Sequence, residues 1–313
     1  MDARPVVVVI VGATASGKTA VSIPLARMLD AEIISADSRQ IYRYMDIGTA
    51  KPSREERAAV PHHFVDIRDP DQDYNAGVFG EEARAVAAAI LARGRRVMVV
   101  GGSGLYVQSM IDGFFDGPPA DPEFREQAES GLVQGGLAPL LEELGRVDPV
   151  TRARIDVTKP RRVIRALEVY HATGRPISAL QEERKVEVPF VPVIFGLHVE
   201  RSVLYRRIEE RCDRMLAEGL EAEVTALEER GYTSSLNALN TVGYAEVFAY
   251  RRGTIPREEM VRLFKQNSRR YAKRQGTWFR KDPRVQWIDA GEGRDHRARA
   301  AEIAERITRG SRS

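Results

Sequence analysis

The chain has a single cysteine, Cys212, in 313 residues. It can form no intrachain disulfide and no cysteine-based metal site. Its neighbours Arg211 and Asp213 predict a place on a surface helix. No apolar run approaches the ~20 residues that a membrane-spanning helix needs. The opening run VVVVIV has no signal-peptide layout, because it leads straight into a glycine loop. These absences predict a soluble, cytosolic protein with no membrane partner. An excess of one charge is missing too: 48 basic side chains nearly balance 45 acidic ones, for a net +3. Internal repeats and low-complexity tracts are also absent. The 43% of hydrophobic residues suffice for an ordinary core. The length suits one large domain, or one domain carrying a sizeable insertion.

The charge balance hides one uneven stretch. Residues 262–284, RLFKQNSRRYAKRQGTWFRKDPR, hold nine Lys/Arg and one Asp. Such a block attracts polyanions, and it also suits a solvated helix face.

Periodicity predicts an α/β core. Val6–Val11 reads as a buried, β-branched strand of the kind parallel sheets contain. A helix over Thr19–Leu29, a strand over Glu32–Ala36, a helix over Ala76–Arg93 and a strand over Val97–Val100 follow. That alternation implies a parallel sheet with helices on both faces. Pro and Gly cluster at Phe115–Pro122, and only helices are predicted from there to about Lys185. Val191–Val199 restores a strand. Helices over Arg201–Glu218, Glu221–Arg230 and Arg257–Arg280, and a last strand over Val285–Ile288, complete the reading. The division is thus a core of 1–115 and 189–313 with an all-helical insertion of 116–188.

Between the first strand and the first helix lies Gly12-Ala13-Thr14-Ala15-Ser16-Gly17-Lys18-Thr19, which fits G-x-x-x-x-G-K-[ST]. Glycines there let backbone N–H groups curl round an anion, and the helix N-terminus adds partial positive charge. Lys18 would meet terminal phosphate oxygens, and Thr19 would ligate Mg²⁺. The usual second strand ending in a metal-binding Asp is missing, because RVMVVGGSG ends in glycines. No N-K-x-D sequence for guanine occurs. Asp37 instead closes the strand EIISAD, at the sheet edge where open α/β folds bind ligands. It suits a metal ligand or a general base, and equally a helix N-cap. Adjacent His62 and His63 point to different sides and read as structural.

Five strings follow the loop in order: DSRQIYRYMDIGTAKP (37–52), HHFVDIRDP (62–70), VGGSGLYV (100–107), RALEVYHATGRPIS (165–178) and YAKRQGTWFR (271–280). With the loop they resemble the tRNA dimethylallyltransferase (tRNA isopentenyltransferase) family, of the bacterial type without a Cys/His zinc module, from about Val6 to Trp287. The resemblance implies a P-loop-kinase-like core, a helical tRNA-binding insertion and transfer of a dimethylallyl group from dimethylallyl diphosphate to N6 of the adenosine 3′ of the anticodon, tRNA position 37. The glycine loop would then hold a departing diphosphate, and no ATP hydrolysis is needed. Asp37 would take the proton from the amine, and Lys18, the loop amides and Mg²⁺ on Thr19 would stabilise the leaving group.

Further roles come from the same resemblance. Ser103 stands where the family has threonine, with its hydroxyl on the substrate phosphate or on Asp37. The anticodon stem-loop would meet Asp37, Ser38, Arg39 and Gln40, with Gln40 reading the adenine edge. It would also meet Ser103, Arg125, Arg161, Arg162, Val163, Ile164 and Arg165, with Arg161 replacing the usual glutamine. Asn240, Thr241, Val242, Gly243 and Tyr244 form another contact region. Lys273, Arg274, Gln275, Thr277, Trp278 and Arg280 form the last, with Trp278 or Phe279 packed inward. Arg207 and Arg211, one helical turn apart, would clamp the diphosphate or pair with Glu209 and Glu210. A monomer is expected. A P-loop small-molecule or nucleoside kinase and a non-catalytic RNA-binding protein are the alternatives.

Overall fold

The computed structural model describes residues 4–113, 117–118, 121–183, 187–293 and 295–310. Its elements, in chain order, are β1 Val6–Gly12, α1 Lys18–Leu29, β2 Ala31–Ser35, α2 Arg54–Ala59, β3 His62–His63, α3 Ala76–Ala92, β4 Arg96–Gly101 and α4 Gly104–Asp112. Then come α5 Pro122–Gly135, α6 Ala138–Val147, α7 Pro149–Arg154, α8 Pro160–Thr173 and α9 Ile177–Glu183. The chain continues with β5 Val191–His198, α10 Arg201–Ala217, α11 Leu220–Glu229, α12 Tyr244–Arg251, α13 Arg257–Phe279, β6 Gln286–Asp289 and α14 His296–Gly310. The chain divides into two compact units, Met1–Ile111 with Val188–Ser313, and Asp112–Glu187. The predicted boundary at 115/116 lies outside the described residues.

In the first unit six strands form one sheet, in the order β3-β2-β4-β1-β5-β6, and every pairing is parallel. Alternate side chains of β1 feed two cores. Val7, Val9 and Val11 pack on one face with Phe79, Ile208 and Phe264. Val8 and Ile10 pack on the other with Val21, Leu25, Ala300 and Ile303. This explains the unbroken β-branched run, because a central parallel strand has no face left for water. Each such aliphatic side chain contributes ~1.5–3 kcal/mol by leaving water. The α/β reading with helices on both faces is therefore correct.

Several elements escaped the sequence reading. β3 has two residues, too few to carry a period. α12 begins at Tyr244, the last residue of a stretch read only as a contact region. The charged run of α14 buries Ala300, Ile303 and Ile307 on one face. Cys212 is corrected: it is buried, with its thiol against the Ser268 hydroxyl at 3.5 Å. Of its flanking charges Asp213 is exposed and Arg211 is half-buried, while Ile208, Cys212 and Met215 share the inner face of α10. His62 and His63 are structural, since His62 Nδ1 lies 2.7 Å from the Val60 carbonyl and His63 Nε2 2.7 Å from the Glu32 carboxylate.

The second unit has its own small core of Leu144, Val163, Ala166 and Leu167. Within it Glu168 is buried, and it accepts from Arg125 Nε at 2.8 Å, Arg165 Nη1 at 2.5 Å and the Asp121 amide at 2.8 Å. Burial works against the Glu168 carboxylate, but the bonds from both arginines outweigh it and lower its pKa. Among the described residues, no helix is long and apolar enough to cross a membrane.

Candidate active site

The carboxyl ends of β1 and β2 and the Gly102–Gly104 loop after β4 approach one another in the first unit. Gly17, at the N-cap of α1, has φ +89°, a left-handed conformation that costs glycine little. The Lys18 ammonium donates to the Gly12 carbonyl at 3.0 Å and the Ala13 carbonyl at 2.8 Å. Its pKa is brought down to about 8, by burial first and by the Arg211 charge second, with Asp37 opposing both. The Ser16 hydroxyl is buried and has no hydrogen-bond partner among the described residues.

A cavity of about 930 Å³ opens beside this loop. Lys18, Thr19, Asp37 and Arg211 line it, with Ile47, Ile208, Met215, Val242 and Phe264 among its apolar walls. Asp37 Oδ1 accepts from the Arg39 amide at 2.9 Å and the Gln40 amide at 3.4 Å. One carboxylate oxygen thus caps a tight turn, and the other has no hydrogen-bond partner among the described residues. Tyr271 lines the same cavity, and its phenol is pushed up to about 12, by burial first and by the Asp37 charge second.

The two arginines of α10 separate. Arg207 donates to the Ala290 carbonyl at 3.0 Å and the Gly291 carbonyl at 3.3 Å, so it is spent on the loop before α14. Arg211 has no hydrogen-bond or ion-pair partner among the described residues. Burial lowers its pKa, and the Asp37 charge opposes that shift.

Other expected contacts turn out to be internal. Ser103 Oγ accepts from the Ser38 amide at 3.0 Å and donates to Ser38 Oγ at 3.2 Å, and the Tyr271 phenol bonds it as well, so its partners within the chain are Ser38 and Tyr271 and not Asp37. The Gln40 Nε2 donates to the Thr49 and Ala50 carbonyls at 3.3 and 3.1 Å, and its Oε1 accepts from Ser35 Oγ at 3.0 Å. Arg39 donates to the Asn237 carbonyl at 2.7 Å. Val163 and Ile164 bury their side chains in the second unit. Tyr244 is buried with its hydroxyl on Glu223 Oε1 at 2.6 Å, and burial first and Glu223 second raise its pKa. The Gln40 and Tyr244 side chains are thus held by partners within the chain, and those of Val163 and Ile164 are buried. Gly243 is buried too, its amide on Glu246. Asn240 is exposed, while Thr241 and Val242 line the cavity.

On α13, Lys273, Arg274, Thr277 and Arg280 are exposed. Phe279 is buried, and Trp278 packs against Gly104, where a Cβ would lie 2.2 Å from the indole nitrogen. In the second unit Arg161 and Arg162 are exposed. His296, at the start of α14, was not singled out from sequence, yet it lines the cavity and would meet a Cβ on Gly17 at 3.1 Å.

Glu223 was missed as well. Its carboxylate accepts from the Asp46, Ile47 and Gly48 amides at 2.8, 2.7 and 3.1 Å, fixing a loop that lines the cavity. Glu223→Ala orphans three amides and a buried phenol, and is expected to cost about 2–4 kcal/mol. Glu223→Gln keeps one acceptor and should lose about half of that. Urea unfolding of the three proteins measures both, and equal stability for all three would refute the role.

The profile of the IPP transferase family matches residues 40–282. A tRNA dimethylallyltransferase from Geobacter metallireducens is 47% identical over 283 residues, 90% of this chain and 92% of its own. The crystal structure of a tRNA isopentenylpyrophosphate transferase from Bacillus halodurans superposes with a TM-score of 0.73 at 40% identity, covering 98% of both chains. A eukaryotic dimethylallyltransferase acting on tRNA superposes with a TM-score of 0.84 at 27% identity, covering 98% of this chain and 80% of that one. A profile match over most of the chain, and relatives matching nearly end to end, place this chain in the IPP transferase family.

Proposed function

We propose that the chain transfers a dimethylallyl group from dimethylallyl diphosphate to N6 of the adenosine 3′-adjacent to the anticodon, giving N6-(dimethylallyl)adenosine. One observation carries this reading. A single cavity has a cationic end at Lys18 and Arg211, a carboxylate at Asp37 and apolar walls at Ile47, Ile208 and Phe264. A prenyl diphosphate has parts to match: an anion, a reactive carbon and a hydrocarbon tail.

The exocyclic amine of adenine is a weak nucleophile, because its lone pair is delocalised into the ring. The unpartnered oxygen of Asp37 takes its proton as the C–N bond forms. The C–O bond to diphosphate breaks, and negative charge grows on the leaving group. Lys18, Arg211 and the amides of Gly12–Thr19 meet that charge, with Arg211 rather than Arg207 as the clamp. Mg²⁺ suits this end: Thr19, a residue with a hydroxyl, lines the cavity beside Lys18, and no cluster of three His, Cys, Asp or Glu occurs among the described residues. A metal held chiefly by diphosphate oxygens and water agrees with that donor set. When bound it would neutralise part of the leaving group's charge.

RNA would be held by phosphate contacts from exposed cations, namely Arg161 and Arg162 of the helical unit and Lys273, Arg274 and Arg280 of α13. The adenine must leave its stack to reach Asp37. We place the protein with its tRNA in the cytosol, as a monomer.

The test uses purified protein, Mg²⁺, radiolabelled dimethylallyl diphosphate and a tRNA with an A-A-A run beside the anticodon. Label in the tRNA is expected. ATP-dependent phosphorylation of a small molecule, with no label in tRNA, would overturn the reading in favour of a kinase.

A further inference from the structure

Gln275 lies in the most basic stretch of the sequence, where an RNA contact is the natural expectation. The structure turns it the other way. It is 7% exposed, on the inner face of α13. Its Oε1 accepts from the Thr14 amide at 2.7 Å, and its Nε2 donates to the Gly102 carbonyl at 2.9 Å. A Cβ on Gly102 would stand 2.3 Å from that nitrogen, so the loop can come this close only as glycine. Thr14 belongs to the loop that also holds Lys18. Gly102 precedes Ser103, whose hydroxyl bonds Ser38, the neighbour of Asp37. One primary amide therefore joins the anion-binding loop to the loop that supports the base.

We propose that Gln275 is a positioning residue that sets the shape of the Gly12–Thr19 loop and its spacing from Asp37. This rests on the reading of that loop as the diphosphate site. A primary amide suits the task because it presents an acceptor and a donor on one rigid plane. Glutamate would keep the bond to Thr14 but set a carboxylate oxygen against the Gly102 carbonyl. Protonated, that acid regains a donor of nearly the same shape. Its pKa is raised by burial and by the facing carbonyl, so protonation falls within a workable range.

The experiment measures binding of Mg²⁺-pyrophosphate and of tRNA to the parent, Gln275→Glu and Gln275→Met proteins by calorimetry, from pH 5.5 to 8. Pyrophosphate affinity at pH 8 should fall about tenfold or more in both variants. tRNA affinity should stay within about threefold. On acidification the ratio of parent to Gln275→Glu affinity should close towards one, while that for Gln275→Met stays constant. Lys18, Asp37, Tyr271 and His296 line the same cavity in all three proteins, and their titration cancels in the ratio for the uncharged Gln275→Met, which is the reference for Gln275→Glu. A thermal melt at each pH reports folding, and Gln275→Met, close in size and uncharged, serves should Gln275→Glu be unstable at pH 8. Loss of tRNA affinity with pyrophosphate affinity intact would overturn the assignment and make Gln275 an RNA contact. A parent protein that binds no pyrophosphate would instead overturn the diphosphate reading beneath it, and the assignment with it.

Discussion

Replacing Asp37 by alanine is expected to lower kcat by two to four orders of magnitude and to leave tRNA affinity within about threefold. The carboxylate has two tasks, and the second must be controlled. One oxygen receives the Arg39 and Gln40 amides and so shapes the turn after β2. Alanine removes both the cap and the base. Asparagine keeps an acceptor for those amides and cannot take a proton, so Asp37→Asn should melt close to the parent and still lose the chemistry. Single-turnover prenyl transfer and tRNA binding, measured on both variants, separate the tasks. Equal loss of tRNA binding and of rate would make Asp37 a recognition residue instead of a base. Full activity in Asp37→Asn would leave the cap as its only role.

Removal of the Lys18 side chain should lower kcat/KM for dimethylallyl diphosphate by about two to three orders of magnitude, because a cation is lost where charge grows on the leaving group. A pH signature accompanies it. Burial, with Arg211 nearby, brings the ammonium of the free protein down to about 8. The charged form binds the anion, so kcat/KM should be flat below that pH and fall as the pH rises through about 8. Lys18→Ala should lack this limb. A parent profile flat to pH 9.5, or a variant that keeps the same limb, would remove Lys18 from the diphosphate site. The ammonium now rests on the Gly12 and Ala13 carbonyls, so a melting curve should accompany the kinetics to check that the loop survives its loss.

Much of the fold could be read before any coordinates, for reasons that concern particular strands. β1 is apolar on both faces because two cores need it, and that leaves an unbroken run in the sequence. α3 and α10 carry long amphipathic periods. What escaped was short or masked by charge: β3, α12, and α14 with its many arginines. The glycine loop and Asp37 were legible because backbone geometry ties such chemistry to fixed spacing. The wider cavity was not. Tyr271 and His296 reach it from separate elements, and Glu223 fixes one of its loops from α11, and no local spacing announces that. The basic stretch of α13 gave a half-truth. Lys273, Arg274, Thr277 and Arg280 face outward as composition suggests, yet the same helix turns Gln275 and Phe279 inward. Charge averaged over a window cannot separate two faces of one helix.

The bond between Thr14 and Gln275 joins residues 261 positions apart. A ribosome adding about 5–20 residues per second separates their synthesis by roughly 10–50 s. Through that interval the nascent chain holds a glycine loop with β1 behind it, but without the amide that clips it to Gly102. β5, α13 and the α14 packing on α1 all arrive late. A segment translated early is thus among the last to be finished. A chain stalled before α13 displays an unbraced loop and an open sheet, a species for chaperones and proteases to recognise, and its anion-binding loop gains its clip only once α13 has been made.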